Sequence, residues 1–289
     1  MYSVLMPAQN AQRTVGLAIR STLRALPESA ELLVLDDASS DETPRVVEDI
    51  AREDKRVRLE RSVQPVGVSA GLNALLSLAR QPYVARMDAD DVTFSWRFAH
   101  QTKALESGAD VVFSTRVNFG SRPASFRPAP LSKLSADEMP YQLMIGNPVP
   151  HSSMAMHRAV LTNAGGYANS PAEDYELWLR LAAESHNMVR LGKPVLAYRM
   201  HAGQVTKSAE WRSRYTRDTS LDSAHTALAM RLGWSGGSVW SAMARRTLGD
   251  ATLEDRAELT TFVDFVRDVS TRLPRKAKKK LVSASSRLL

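Results

Sequence analysis

Short apolar runs alternate with amphipathic stretches through the first half of the chain. Ser3–Met6 predicts a strand that ends at Pro7, and Val15–Leu26 places Val15, Ala18, Ile19, Thr22, Leu23 and Leu26 at helical spacing. Leu32–Leu35, Val57–Leu59, Tyr83–Met87 and Val111–Ser114 predict further strands. Between them, Thr43 as a cap and Pro44 in the first turn open one helix, Gly71–Ala79 follows a glycine-containing turn as another, and Trp96–Glu106 reads as a third. This alternation implies an α/β fold with a mostly parallel sheet flanked by helices. The prolines and polar residues from Asn118 to Pro130 predict a loop able to move over a site, and Val195–Arg199 predicts a later strand.

Beyond Thr206 the pattern becomes helical. Trp211, Tyr215, Leu221, Ala224, Leu228 and Leu232 fall at helical spacings, Gly233–Gly237 makes a break, and Val239–Leu248 and Leu253–Val269 predict two more helices. Two regions are therefore expected, residues 1–206 as a catalytic domain and 207–289 as a helical appendage. Trp234 and Trp240 suit core packing, with sugar stacking as the alternative.

Charge follows the same division. Residues 1–204 carry 22 Lys and Arg against 22 Asp and Glu, whereas residues 205–289 carry 16 against 9, so the whole excess of +7 lies near the end. The cluster Arg272–Lys280, followed by Leu281, Val282, Leu288 and Leu289, can meet anionic lipid or nucleic acid, or be a solvated end. The balanced first region argues against a groove that tracks duplex nucleic acid. With 289 residues, 44% of them hydrophobic, the chain can build a sizeable core. No cysteine is present, which excludes disulfides and thiolate metal sites. No basic start precedes Pro7 and no run of about 18 apolar residues occurs, so a cytoplasmic protein is expected, with peripheral contact at a membrane surface through the basic end.

The acids carry the candidate chemistry. Asp88-Ala89-Asp90-Asp91 sits directly behind the strand Tyr83–Met87, and carboxylates at a strand's carboxyl end point into the crevice where open α/β sheets bind ligands. Three carboxylates in four residues repel one another, which calls for a cation. Mg²⁺ or Mn²⁺ typically takes one or two protein carboxylates plus substrate phosphates, so a metal-diphosphate site is one reading and a solvated acidic turn the other. Asp36 and Asp37 follow the second strand and open on the same edge. A carboxylate there can accept the imide N–H of uracil or thymine, although one acid of Asp36–Asp41 is also expected to cap the Thr43 helix.

Several ordered motifs closely resemble the family 2 glycosyltransferases, enzymes of the GT-A (Rossmann-like) fold that use nucleotide-diphosphate sugars. They are Ser3–Asn10, Leu35–Asp41, Gly67–Asn73, Met87–Asp91, Glu173–Trp178 and Tyr198–His201, and the resemblance spans roughly residues 2–206. It implies that Asp37 reads the base, that the backbone near Pro7 contacts the nucleoside, and that Asn10, Asp36 and Asn73 border the nucleotide. Asp88 and Asp90 would form the D-x-D pair, with Asp90 the direct ligand of Mn²⁺ or Mg²⁺. The family commonly has an aromatic residue where Gln9 stands, so base stacking is not expected there.

The same resemblance implies that Asp174, the second acid of Glu173-Asp174, is the catalytic base of an inverting transfer from a UDP-sugar donor. Capping of the helix that carries Leu177, Trp178 and Leu181 is the structural alternative for these acids. His201 is a candidate for metal or diphosphate. His151, Ser152 and Trp178 are candidates for the acceptor or phosphate side. The acceptor could be a glycan, a lipid-linked sugar or a protein. A nucleic-acid-associated or DNA-modifying enzyme and a non-catalytic nucleotide-sugar-binding protein are the other readings.

Overall fold

The computed structural model describes residues 1–120, 127–128, 132–200 and 208–289. In chain order its elements begin with β1 (Tyr2–Ala8), α1 (Val15–Ala25), β2 (Glu31–Asp36), α2 (Thr43–Glu53), β3 (Val57–Arg61), α3 (Val68–Leu78), β4 (Tyr83–Arg86) and β5 (Val92–Thr93). Next come α4 (Arg97–Glu106), β6 (Val111–Gly120), β7 (Arg127–Pro128), α5 (Met139–Leu143), β8 (Ala155–His157), α6 (Arg158–Asn163), α7 (Glu173–Ala183) and β9 (Met188–Met200). The last are α8 (Ala209–Thr216), α9 (Thr219–Arg231), α10 (Trp240–Leu248), α11 (Leu253–Val269) and α12 (Arg275–Ser285). Two compact units result: Met1–Leu134, Val149–Tyr167 and Asn187–Ala202 make the first, and Ser135–Pro148, Ala168–His186 and Gly203–Leu289 the second.

The first unit holds one mixed sheet, ordered β3-β2-β1-β4-β8-β6-β9-β5 among the described residues, with β7 beside β6. β3, β2, β1 and β4 run parallel, β8 is antiparallel to both β4 and β6, and β6 runs parallel to β9. β2 is buried along its whole length, as a central parallel strand must be. Each Leu or Val it buries contributes about 1.5–3 kcal/mol. α1 turns Val15, Ala18, Ile19, Thr22 and Leu23 inward, the stripe its spacing predicts.

The register decides where the acids go. Ala8 pairs with Asp36 and Leu5 with Arg86, so the carboxyl ends of β1, β2 and β4 share one edge and both acid groups leave from it. α3 approaches this edge closely because Gly71 lacks a side chain: a Cβ there would lie 2.9 Å from Leu35 Cδ2. The helix begins three residues before Gly71, after Gly67 at φ +82° makes the turn. β6 takes in Asn118–Gly120 from the expected loop, and Arg127–Pro128 pairs with Val117 and Asn118. The rest of that loop, residues 121–126 and 129–131, lies outside the described residues.

The second unit is helical. α7 buries Tyr175, Leu177, Trp178, Leu179 and Leu181, while α9 buries Leu221, Ala224 and Leu228. Trp240 is fully buried among the rings of Tyr175, Tyr215 and His225, and Trp234 sets its edge against Phe262, so both tryptophans pack. Thr252 and Asp255 form a reciprocal capping box that starts α11. The basic end is folded: α12 buries Ala277, Leu281 and Ser285 and leaves Lys276, Lys278 and Lys279 exposed. No described helix is long and apolar enough to cross a membrane.

Candidate active site

The two acids after β2 have different partners. Asp37 Oδ1 accepts the Val66 amide at 2.7 Å and Oδ2 the Gly67 amide at 3.0 Å, so both oxygens are committed to holding the turn before α3. Asp36 is 1% exposed, and its Oδ1 has no hydrogen-bond partner among the described residues. Its Oδ2 lies 3.8 Å from Arg61 Nε, and both residues line a cavity of about 360 Å³ with Ser39, Ser62 and Val63. A buried acceptor without a donor costs roughly 1–3 kcal/mol unless a ligand supplies one. The capping acid of this turn is Asp41, which accepts the Thr43 amide at 2.9 Å, so Thr43 stands inside the helix and not at its cap.

Asn10 and Gln9 are ties. At φ +49°, Asn10 accepts the Ser40 amide through Oδ1, and Gln9 Nε2 donates to the Asp37 carbonyl. Pro7 lies in β1 opposite Leu35. Asn73 spends its carboxamide on the backbone of Tyr167, donating to the carbonyl at 2.8 Å and accepting the amide at 2.9 Å. That leaves Asn73 a clamp between α3 and the turn after α6.

Behind β4 the Asp88–Asp91 turn rests on two guanidinium groups that the apolar pattern concealed. Arg86, 6% exposed, donates from Nη2 to Asp88 Oδ1 at 2.6 Å and also bonds the Met87 carbonyl. Arg97 is fully buried and donates to the Arg86 carbonyl at 2.7 Å and to Gln101 Oε1 at 3.1 Å. Burial lowers its pKa to about 10, which keeps it charged at neutral pH. The Asp90 carbonyl accepts from Arg199 Nε at 2.9 Å. Asp91 is 1% exposed, its Oδ1 accepts the Arg199 amide at 2.8 Å, and its Oδ2 has no hydrogen bond among the described residues. Burial first, and the charge of Asp88 second, raise the Asp91 pKa to about 8. A charged residue inside a buried strand was the available signal for Arg86, because such a residue is almost always paired.

The donor set of this turn is all oxygen, which suits a hard divalent cation. No three His, Asp or Glu among the described residues gather closely enough to hold a metal unaided. A cation at this turn would need ligands besides Asp88 and Asp90. Ser152 is 1% exposed and lies beside Asp91. His151 Nε2 meets the Tyr167 hydroxyl at 3.1 Å. His201 lies outside the described residues.

Glu173, Asp174 and Trp178 belong to the second unit. Asp174 stands in the first turn of α7, where an acid gains about 0.3–1 kcal/mol from the helix dipole. Its Oδ2 accepts from Asn147 Nδ2 at 2.9 Å and its Oδ1 from the Tyr175 amide at 2.7 Å. Tyr175 donates its hydroxyl to the Leu143 carbonyl at 2.6 Å, which fixes the start of the helix. Burial raises the pKa of both Tyr175 and Tyr215, and the charge of Asp174 adds to the rise. Trp178 is fully buried in the helical core.

The structure thus sets acids at the carboxyl edge of a mixed sheet and an acidic first turn on α7. The family model for glycosyl transferase family 2 matches residues 3–164, and the chain belongs to this family of glycosyltransferases. It is 32% identical to EpsE of Bacillus subtilis (strain 168) over 192 residues, 63% of this chain and 66% of that one. It is 22% identical over 210 residues to Escherichia coli WfaP, named as a UDP-Glc:alpha-D-GlcNAc-diphosphoundecaprenol beta-1,3-glucosyltransferase, covering 71% of this chain and 80% of that one. Residues 1–349 of S. aureus TarS, solved with UDP-GlcNAc, share the GT-A fold at a TM-score of 0.65 and 17% identity, covering 99% of this chain and 87% of that one.

Proposed function

We propose that the protein is an inverting glycosyltransferase that moves a sugar from a UDP-linked donor to a hydroxyl of a glycan, a lipid-linked sugar or a protein side chain. The observation that carries this reading is Asp36, whose buried Oδ1 has no hydrogen-bond partner among the described residues and which lines a cavity on the edge that also bears Asp88 and Asp90. A uracil ring offers one imide N–H to such an oxygen. Base reading belongs to Asp36 for this reason, and Asp37 holds the turn that shapes the pocket. The names of WfaP and TarS, with UDP-Glc and UDP-GlcNAc, support uridine as the base.

Residues 1–206 make the catalytic region of this reading. Asp174 accepts the proton of the acceptor hydroxyl as that oxygen attacks the anomeric carbon, and the diphosphate leaves from the opposite face, so configuration inverts. The Asn147 carboxamide and the Tyr175 amide stabilise the ionised carboxylate and fix its direction. Asp88 and Asp90 would hold Mn²⁺ or Mg²⁺, which supplies positive charge to the departing diphosphate. Arg86 and Arg97 keep the turn from flying apart by offsetting its negative charge. The exposed lysines of α12 dock on an anionic membrane surface, where each basic residue contributes about 1 kcal/mol.

A hydrolysis screen tests the reading. Nucleotide sugars incubated with the protein and Mn²⁺ are expected to release sugar slowly from UDP-linked donors. Release from none of them, or from other nucleotides alone, would overturn the donor assignment.

A further inference from the structure

The second unit carries a cavity that neither the base nor the metal site uses. It has a volume of about 510 Å³ and is lined by Asn169, Ser213, Arg214, Arg217, Asp218 and Thr219. That size suits a small polar ligand. Among the described residues, the guanidinium groups of Arg214 and Arg217 make no ion pair or hydrogen bond. Asp218 lines the same cavity without an ion pair to either guanidinium, and its Oδ1 accepts the Leu221 amide at 2.8 Å and the Ser220 hydroxyl. Two free guanidinium forks over hydroxyl and amide donors match the oxygens of a phosphate, which arginine can bind bidentately.

The cavity is tied to the start of α7. Trp211 Nε1 donates to the Pro171 carbonyl at 2.6 Å, three residues before Asp174. Trp211 stacks on Tyr215 with ring centres 4.6 Å apart, and Tyr215 feels the charge of Asp174. Arg214 and Arg217 flank Tyr215 at the end of α8. The two arginines thus stand at the end of the helix that Trp211 ties to the turn before α7.

We propose that this cavity is a subsite for a phosphate or diphosphate group carried by the acceptor. The proposal rests on Asp174 being the base of a glycosyl transfer. Two sources share this chemistry, a soluble sugar phosphate and a sugar linked through diphosphate to a prenyl lipid.

Pyrophosphate titrated by calorimetry into the full chain, in EDTA and on an Asp90→Ala background, reads the site without the metal-dependent donor position. Binding is expected to persist there and to weaken at least tenfold when Arg214→Gln and Arg217→Gln are added. Arg217→Glu alone should weaken it further than Arg217→Gln, with circular dichroism unchanged, since the side chain is exposed and has no partner to lose. Equal pyrophosphate affinity with and without the two arginines would overturn the proposal. Competition then separates the sources: displacement by geranyl diphosphate but not by glucose 1-phosphate assigns a lipid-linked acceptor, and the reverse assigns a soluble one. Displacement by neither overturns the acceptor assignment. If wild type hydrolyses no nucleotide sugar, the functional reading fails, while the pyrophosphate titration still judges the site.

Discussion

Asp36 and Asp37 are neighbours with different work because their backbone positions send one carboxylate to the turn amides and leave the other beside Arg61. A hydrogen bond to a charged group is worth about 1.5–3 kcal/mol, so Asp36→Asn should weaken UDP binding by roughly 10- to 100-fold. Asp37→Asn should instead lower the melting temperature while UDP affinity changes only a few-fold. Calorimetry and thermal unfolding of the two variants check this, and the opposite pattern would return base reading to Asp37. Asp174→Asn keeps the shape of the side chain and removes its basicity, so donor binding should survive while transfer falls about 10²–10⁴-fold. If Glu173→Gln is the damaging change in the same assay, the base has been placed one residue too late. The sequence made the acids conspicuous, since clustered carboxylates behind apolar runs are rare in a packed fold. It could not sort them by role, because the partner of each oxygen is chosen by tertiary contacts: Val66 and Gly67 lie 29 and 30 residues from Asp37. Arg86 and Arg97 escaped notice for the same reason, their partners being carbonyls and carboxylates brought together only by folding.

Elements with strong periodicity were legible. α1 and α11 lie where their periodicity predicts, α2 opens at the Thr43-Pro44 signal, and the first four parallel strands follow their apolar runs. The short strands were not: β5 has two residues and β8 three, too few for any period to show. β9 is 13 residues long, and its first half, with Arg190, Gly192, Lys193 and Pro194, lacks the alternation of a half-buried strand. Its pairing with β6 shifts register around Thr115, which breaks the pattern further. At the other end, α12 presents its lysines outward only because Ala277 and Leu281 are buried. Replacing Lys276, Lys278 and Lys279 with Gln should therefore leave the fold intact and reduce cosedimentation with anionic liposomes, most clearly at low salt. Equal liposome binding by the two proteins would leave α12 a solvated helix.

Over the whole molecule, two compact units divide the candidate residues: the sheet unit carries Asp36, Asp88 and Asp90, and the helical unit carries Asp174 and the Arg214–Arg217 cavity. The chain was expected to divide near residue 206, and that boundary remains our proposal for where catalytic residues end. Compactness follows a different path, because residues 135–148 and 168–186 gather with the C-terminal helices. A linear reading of charge and periodicity assigns neighbours in sequence to one body, whereas packing assigns α5 and α7 to the helices that bury their apolar faces. We propose that Asp88 and Asp90 share a divalent cation with the diphosphate of a uridine donor. UDP titrated into wild type and Asp90→Ala, each with and without Mn²⁺, tests it most directly. Wild type should bind UDP more tightly with Mn²⁺, and Asp90→Ala should lose that gain. Equal UDP affinity in the two proteins with Mn²⁺ present would contradict the account.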